Sequence, residues 1–174
     1  KLNEINQMFD KYRLSDALMA TYKLVWDDFC SWYLEMVKPD FVDGKPAPVP
    51  AATLQETKSI FEDLLKLLHP FMPFISEELW HLVGERKDKE CIIVADWPVL
   101  NQTGNNSDLV NQFEHVSNLI QQIRFIRNQK AVSPKTALEL FIKKQGSEFP
   151  AGFESVVKKL ANLSSISETN EKVS

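Results

Sequence analysis

The sequence predicts a mainly α-helical fold in which a helical bundle is followed by a small α/β extension. Apolar residues recur at steps of three and four along most of the first 84 residues, and the chain has 9 prolines against only 5 glycines. Short apolar runs with strand character occur only later in the chain. We therefore divide the chain into a bundle, residues 1–84, and a strand-helix-strand-helix extension, residues 85–174.

The first two helices follow from apolar stripes and from the proline that ends the second one. Leu2, Ile5 and Phe9 place the start of the chain inside an amphipathic helix. Because no capping residue precedes it, we expect the chain to be cut from a longer protein. Ser15 is the predicted cap of the second helix, and Pro39 is its predicted end. The apolar stripe of this second helix is Leu18, Tyr22, Val25, Phe29, Trp32 and Met36.

A proline-rich loop over residues 38–52 separates the second helix from two more. Thr53 begins a capping-box pattern with the glutamate three residues later, which predicts the start of a third helix. His69-Pro70 breaks this helix, because the proline ring removes a backbone donor. Pro73 then permits a fourth helix to begin. We expect His69 to satisfy polar groups that the break leaves without partners.

The extension alternates strand and helix patterns. Residues 91–95 are a short apolar, β-branched run, which predicts a strand. The other predicted elements are a helix capped by Ser107 or Asp108 and ended at Pro134, a strand over residues 138–142, a helix over residues 153–161 and a strand near Ile166.

The residues needed for catalysis or for a metal centre form no recognised pattern. His69, His81 and His115 are scattered, and no phosphate loop, zinc-protease motif or nucleophile elbow occurs. Cys30 and Cys91 are too far apart for a metal knuckle or a disulfide framework, so we expect reduced thiols and a cytoplasmic protein. The sequence therefore predicts no catalytic residue, no metal ligand and no cofactor in this chain.

One group of polar residues is a candidate binding surface. Arg124, Arg127, Asn128 and Lys130 lie near the end of the long helix pattern, and we expect the two arginines to face solvent on one side. Arginine binds phosphate oxygens in a bidentate manner, and asparagine can reach sugar hydroxyls or exposed bases. The same residues are typical of a solvated helix end, where cations complement the helix dipole. Both interpretations are open, and the net charge of −4 means that any contact with nucleic acid comes from a local patch.

Three segments, in order, resemble one protein family. Residues 65–80 (LKLLHPFMPFISEELW) are similar to a segment shared by the anticodon-binding domains of class I synthetases for valine, isoleucine, leucine and methionine. Residues 26–39 (WDDFCSWYLEMVKP) and 123–134 (IRFIRNQKAVSP) resemble the valyl-tRNA synthetases. Arg124 and Arg127 match the last of these motifs, and the resemblance implies that they contact the tRNA backbone. The matching aromatic residues are expected in the core: Trp26, Trp32, Tyr33, Phe71, Phe74 and Trp80.

The resemblance implies a helical bundle of the class I synthetase anticodon-binding type and a role in binding tRNA(Val). The parent valine-tRNA ligase would join valine to this tRNA in a separate catalytic domain that uses ATP and Mg²⁺, while this chain positions the tRNA. The other implied partners are the rest of the synthetase chain and its C-terminal coiled coil, and no membrane is expected. The first helix of the family domain is expected to precede Lys1.

Two other functions fit the composition and charge. The chain could be a helical protein-protein interaction module without an RNA role, or an enzyme with an unrecognised site. The order of the three segments favours the synthetase interpretation over both.

Overall fold

The computed structural model describes residues 1–42, 44–87, 89–99, 107–143 and 149–169. Two compact units divide the chain, Lys1–Asn101 and Gln102–Ser174. The first unit is helical, and the second combines helices with a parallel pair of strands, which confirms the predicted fold class. Of the helices described, none has the length and apolar character needed to span a bilayer.

In its described residues, the first unit contains five α-helices, a short hairpin, a π-helical segment and a 3₁₀ turn. Its α-helices are α1 (Leu2–Asp10), α2 (Leu14–Lys23), α3 (Leu34–Val37), α4 (Ala51–Leu68) and α5 (Pro73–Val83). A π-helical segment, Leu24–Tyr33, joins α2 to α3. Inside the predicted loop, β1 (Phe41–Val42) pairs with β2 (Lys45–Pro46) in antiparallel fashion.

The rules applied to Pro39, Pro70 and Pro73 place the helix ends correctly, whereas the caps predicted at Ser15 and Thr53 are wrong. Helix α3 ends just before Pro39, α4 ends at Leu68, and α5 begins at Pro73. Ser15 and Thr53 both lie inside their helices, because α2 and α4 each begin earlier and have no side-chain cap. Proline restricts the backbone at every position, whereas the residues of a cap pattern also occur inside helices.

His69 has the scaffold role that the sequence predicts. Its Nδ1 is hydrogen-bonded to Ser76 Oγ at 2.8 Å, and Ser76 donates to the carbonyl of Met72, also at 2.8 Å. Ser76 is buried, so this chain of hydrogen bonds satisfies polar groups at the break between α4 and α5.

Two clusters of apolar side chains form the core of the first unit. Ile5, Phe29, Leu64 and Leu67 form one cluster, in which Phe29 stacks on Phe61 with ring centroids 5.9 Å apart. Leu65, Trp80 and Ile92 form the other.

The predicted stripe of the second helix is only partly buried. Leu18 and Tyr22 are exposed, and Ala17 and Thr21 are buried in their place. The prediction assumed α-helical spacing throughout, but the π-helical segment has wider turns, so one stripe of steps of three and four cannot stay on a single face.

Two aromatic residues expected in the core lie at the surface. Trp26 is 58% exposed and Phe74 is 91% exposed, whereas Trp80 is buried. Phe74 occupies the first turn of α5, directly after the N-terminal Pro73, where helical spacing does not determine which side faces the core.

The strand predicted over residues 91–95 is a 3₁₀ turn, Ile92–Val94. Only Ile92 is buried, while Ile93 and Val94 are exposed. The Trp80 indole donates to the Glu90 carbonyl at 3.0 Å, and the Ile92 amide donates to the Glu77 carboxylate at 3.1 Å. These bonds attach the segment to α5, so it belongs to the helical unit, although the sequence indicated a change of character after residue 84.

The second unit combines one long helix with a β-α-β arrangement. Its elements are α6 (Ser107–Gln129), β3 (Leu138–Lys143), a 3₁₀ turn (Ala151–Phe153), α7 (Glu154–Ala161) and β4 (Leu163–Thr169). Strands β3 and β4 are parallel, with Leu140 opposite Ile166. The two helices and two strands predicted for this region are confirmed, although α6 ends at Gln129 rather than at Pro134. The core side chains are Val116, Ile120, Ile123, Val157, Ala161 and Leu163.

Candidate nucleic-acid interface

The candidate residues lie on the last turns of α6 and just beyond it. Arg124, Arg127 and Asn128 belong to the helix, and Lys130 follows its end at Gln129. Ala131 then takes a left-handed conformation with φ 52°, which turns the chain so that the Val132 amide donates to the Arg127 carbonyl at 2.9 Å.

Arg127 points into the protein, so the prediction that it faces solvent is wrong. It is only 6% exposed. Its Nη1 donates to the carbonyls of Ser133 and Thr136 at 3.1 and 2.9 Å, and its Nη2 donates to the Asn162 carbonyl at 2.8 Å. Arg127 therefore ties the chain after α6 to the turn between α7 and β4.

Asn162 forms the other half of this junction, and the sequence analysis did not single it out. Its φ of 50° is left-handed, and its side-chain amide donates to the Pro134 carbonyl at 2.8 Å. Asparagine directly after a helix is a recognised signal for a left-handed C-terminal residue, so this position could have been found from the sequence.

Arg124 and Asn128 are exposed and line the same cavity of about 480 Å³, together with Asn162. Arg124 Nη2 donates to the Leu160 carbonyl at 3.0 Å, near the C-terminal end of α7. Carbonyls at that end carry partial negative charge, which attracts the guanidinium. The bond to Leu160 uses one of the five N–H donors of the guanidinium.

Lys130 lies beside a different cavity. This second cavity of about 210 Å³ is lined by Lys130, Ile126 and Glu139, among others, and Arg127 borders both cavities. The four predicted residues are therefore close in space but have different roles. Arg124 and Asn128 share one concave surface, and Lys130 borders another. Arg127 supports the fold between these two surfaces.

The comparisons with known proteins identify the family. Residues 1–142 match the family described as the anticodon-binding domain of tRNA ligase. The chain belongs to this family. This anticodon-binding domain includes Arg124, Arg127, Asn128 and Lys130 within the matched range, while β4 and α7 lie beyond it.

The relatives that this anticodon-binding domain resembles are valine-tRNA ligases. It is 47% identical to the enzyme of Parabacteroides distasonis over 97% of this chain, and 40% identical to that of Christiangramia forsetii over 95%. The enzyme of Thermosynechococcus vestitus is 33% identical over 92%. These similarities confirm the resemblance to valyl-tRNA synthetases. The chain spans 18% of the length of each of these relatives.

Proposed function

We propose that this chain is the tRNA-binding part of a valine-tRNA ligase, which joins valine to tRNA(Val) using ATP. The observation that carries the proposal is the similarity to valine-tRNA ligases over 97% of the chain, combined with the match to anticodon-binding domains. The chain positions the tRNA, and the chemistry takes place in another part of the enzyme.

The proposed contact surface differs from the one expected from the sequence. We assign contact with the tRNA backbone to Arg124 and Asn128, because both are exposed and line one concave surface. Lys130 is exposed nearby and adds positive charge. Arg127 supports this surface from inside, since its guanidinium group donates to backbone carbonyls on both sides of the junction.

The remaining partners belong to the same proposal. ATP and Mg²⁺ are assigned to the catalytic domain of the ligase, and the rest of the ligase chain, including a coiled coil, is assigned as the second partner. The proposed location is the cytoplasm, where thiols remain reduced, and Cys30 and Cys91 form no disulfide. Exposed apolar side chains such as Phe74 and Leu82 are of the kind that contacts between domains cover.

Valine activation provides the first test. The 174-residue chain should give no valine-dependent exchange of pyrophosphate into ATP, because the family that it matches is the tRNA-binding part of these enzymes. The measurement is an exchange assay with radiolabelled pyrophosphate, with a complete valine-tRNA ligase as the positive control. Exchange by the purified chain would show that it contains a catalytic centre.

Binding of tRNA(Val) over a series of salt concentrations tests the contact surface. Replacing Arg124 by glutamine should reduce the slope of log affinity against log salt by about 0.7 to 0.9, the contribution of one neutralised phosphate. Arg13→Gln is the matched control, because it removes an exposed arginine that is paired with Asp16 in the first unit, at 2.7 Å. Its slope should equal that of the wild type.

Three outcomes would contradict parts of this proposal. An unchanged slope for Arg124→Gln would exclude a phosphate contact at Arg124. An equal reduction in Arg13→Gln would show that the effect is one of net charge. A wild-type chain that does not bind tRNA(Val) at low salt would overturn the tRNA-binding function and favour a protein-protein interaction module.

A further inference from the structure

Three side chains with metal-binding atoms meet where α5 contacts the segment before the 3₁₀ turn. They are Glu77 and His81 on α5 and Cys91 on that segment. A carboxylate oxygen, an imidazole nitrogen and the cysteine sulfur all lie within 4.8 Å of one another. Each of the three residues is partly exposed, so an ion can enter from solvent.

The two residues on α5 are spaced to bind one ion. Glu77 and His81 are one helical turn apart, so their side chains lie on the same face. Glu77 Oε1 and His81 Nε2 are already 3.1 Å apart. Neighbouring ligands of a tetrahedral zinc ion are separated by about 3.3 to 3.8 Å, given metal-ligand distances of about 2.0 to 2.3 Å. These two atoms are therefore close to the required separation.

Hydrogen bonds from the backbone on both sides of Cys91 hold this third residue beside α5. The Ile92 amide donates to both oxygens of Glu77, at 3.2 and 3.1 Å, and the Ile92 side chain is buried. On the other side, the Glu90 carbonyl accepts from the Trp80 indole at 3.0 Å. Hydrogen bonds that orient a ligating carboxylate are typical of metal sites, and each carboxylate oxygen has a second lone pair for an ion.

The types of donor select the ion. Carboxylate, imidazole and thiolate are the three ordinary protein ligands of zinc, and together they carry a charge of −2 when the thiol is deprotonated. A sulfur ligand disfavours Mg²⁺ and Ca²⁺, which prefer oxygen. Three protein ligands leave one position of a tetrahedron for water.

We propose that Glu77, His81 and Cys91 bind Zn²⁺ and that the ion fastens the 91–94 segment to α5. On binding, the Cys91 thiol proton is released to solvent. The proton that His81 Nε2 donates to Glu77 also leaves that nitrogen, and the neutral imidazole carries its proton on Nδ1, so that zinc takes the place of the hydrogen bond between Nε2 and the carboxylate. The site goes beyond the proposed role in tRNA binding and does not depend on it. The expected effect of the ion is on the stability of the first unit.

Cobalt is a suitable probe of this site, because Co²⁺ occupies zinc sites and a thiolate ligand gives it a charge-transfer absorption band. Titration of the whole chain with Co²⁺ under reducing conditions should produce this band at about one equivalent, and Zn²⁺ should abolish it by competition. The chain has a matched control, since Cys30 is its other cysteine and packs against the other core cluster. The band should disappear in Cys91→Ser and remain in Cys30→Ser.

Thermal unfolding provides an independent measurement. At about a hundredfold excess over its Kd, Zn²⁺ should raise the Tm of the first unit by roughly 10 °C or more. The increase should be retained in His115→Ala, where the histidine is exposed in the second unit, and lost in His81→Ala. The Tm of each variant without metal shows whether it folds.

The proposal is overturned by any of three results. They are a wild-type chain that gives no charge-transfer band, a band of equal intensity in Cys91→Ser, or a Zn²⁺-dependent rise in Tm that His81→Ala retains.

Discussion

Replacing Arg127 by alanine should lower the free energy of unfolding of the second unit by about 3 kcal/mol. The substitution removes the donors of three backbone carbonyls, those of Ser133, Thr136 and Asn162, at a site where the arginine is buried. A hydrogen bond to a charged group contributes about 1.5 to 3 kcal/mol. The vacated volume adds to the cost.

Urea denaturation followed by circular dichroism, together with hydrogen exchange of the β3 and β4 amides, measures this effect. Arg124→Ala is the matched control, because this arginine is exposed and three residues away on the same helix. It should change the stability by less than about 1 kcal/mol. The loss of stability in Arg127→Lys should lie between those of the two alanine variants or approach that of Arg127→Ala. The reason is that an ammonium group lacks the planar fork that reaches carbonyls on two sides. Equal stability of the two alanine variants would show that Arg127 does not support the junction.

Replacing Trp80 by alanine should destabilise the first unit by about 3 to 5 kcal/mol. Trp80 packs against Leu65 and Ile92 in the core, and its indole donates to the Glu90 carbonyl. The Arg86 guanidinium lies 3.6 Å from the ring centroid, and Arg86 also pairs with Glu62 at 2.6 Å. Loss of the ring therefore removes apolar contacts, a hydrogen bond and a cation-π interaction together.

Trp26→Ala is the control, because it removes the same type of side chain at a position that is 58% exposed. It separates the effect of burial from the effect of losing a tryptophan. We expect it to cost about 1 kcal/mol or less. Trp80→Phe keeps most of the apolar contact and loses the indole donor, so its cost should fall between the two. The midpoints of urea unfolding rank the three variants. If Trp26→Ala is as destabilising as Trp80→Ala, the assignment of the core is incorrect.

The regular elements could be predicted where the sequence restricts the backbone directly. Pro39 and Pro73 mark true helix boundaries, and the alternation from Leu138 to Ile142 marks the strand β3. The run over residues 91–95 forms no strand, because apolar, β-branched residues also suit a short turn that buries one side chain. Tertiary contacts decide whether such a run pairs with another strand, and a short sequence pattern does not contain them.

The candidate sites could be predicted only in part. The sequence predicts that Arg124 and Arg127 lie in a helix. Their spacing does not show which of them binds backbone carbonyls and which faces solvent. The nearness of Glu77 and His81 is visible as one helical turn. Cys91 reaches them only because the chain turns back along α5, and no spacing rule predicts that contact.

The π-helical segment makes the length of the chain between α2 and α3 a determinant of packing. The Leu34 amide donates to the Phe29 carbonyl five residues back, and Phe29 stacks on Tyr33 with ring centroids 5.5 Å apart. Tyr33 shares a hydrogen bond of 3.2 Å with Thr57 on α4. Insertion or deletion of one residue would rotate the following side chains by about 100° and turn Tyr33 away from α4. Related chains should therefore differ in this segment by substitution and keep its number of residues constant.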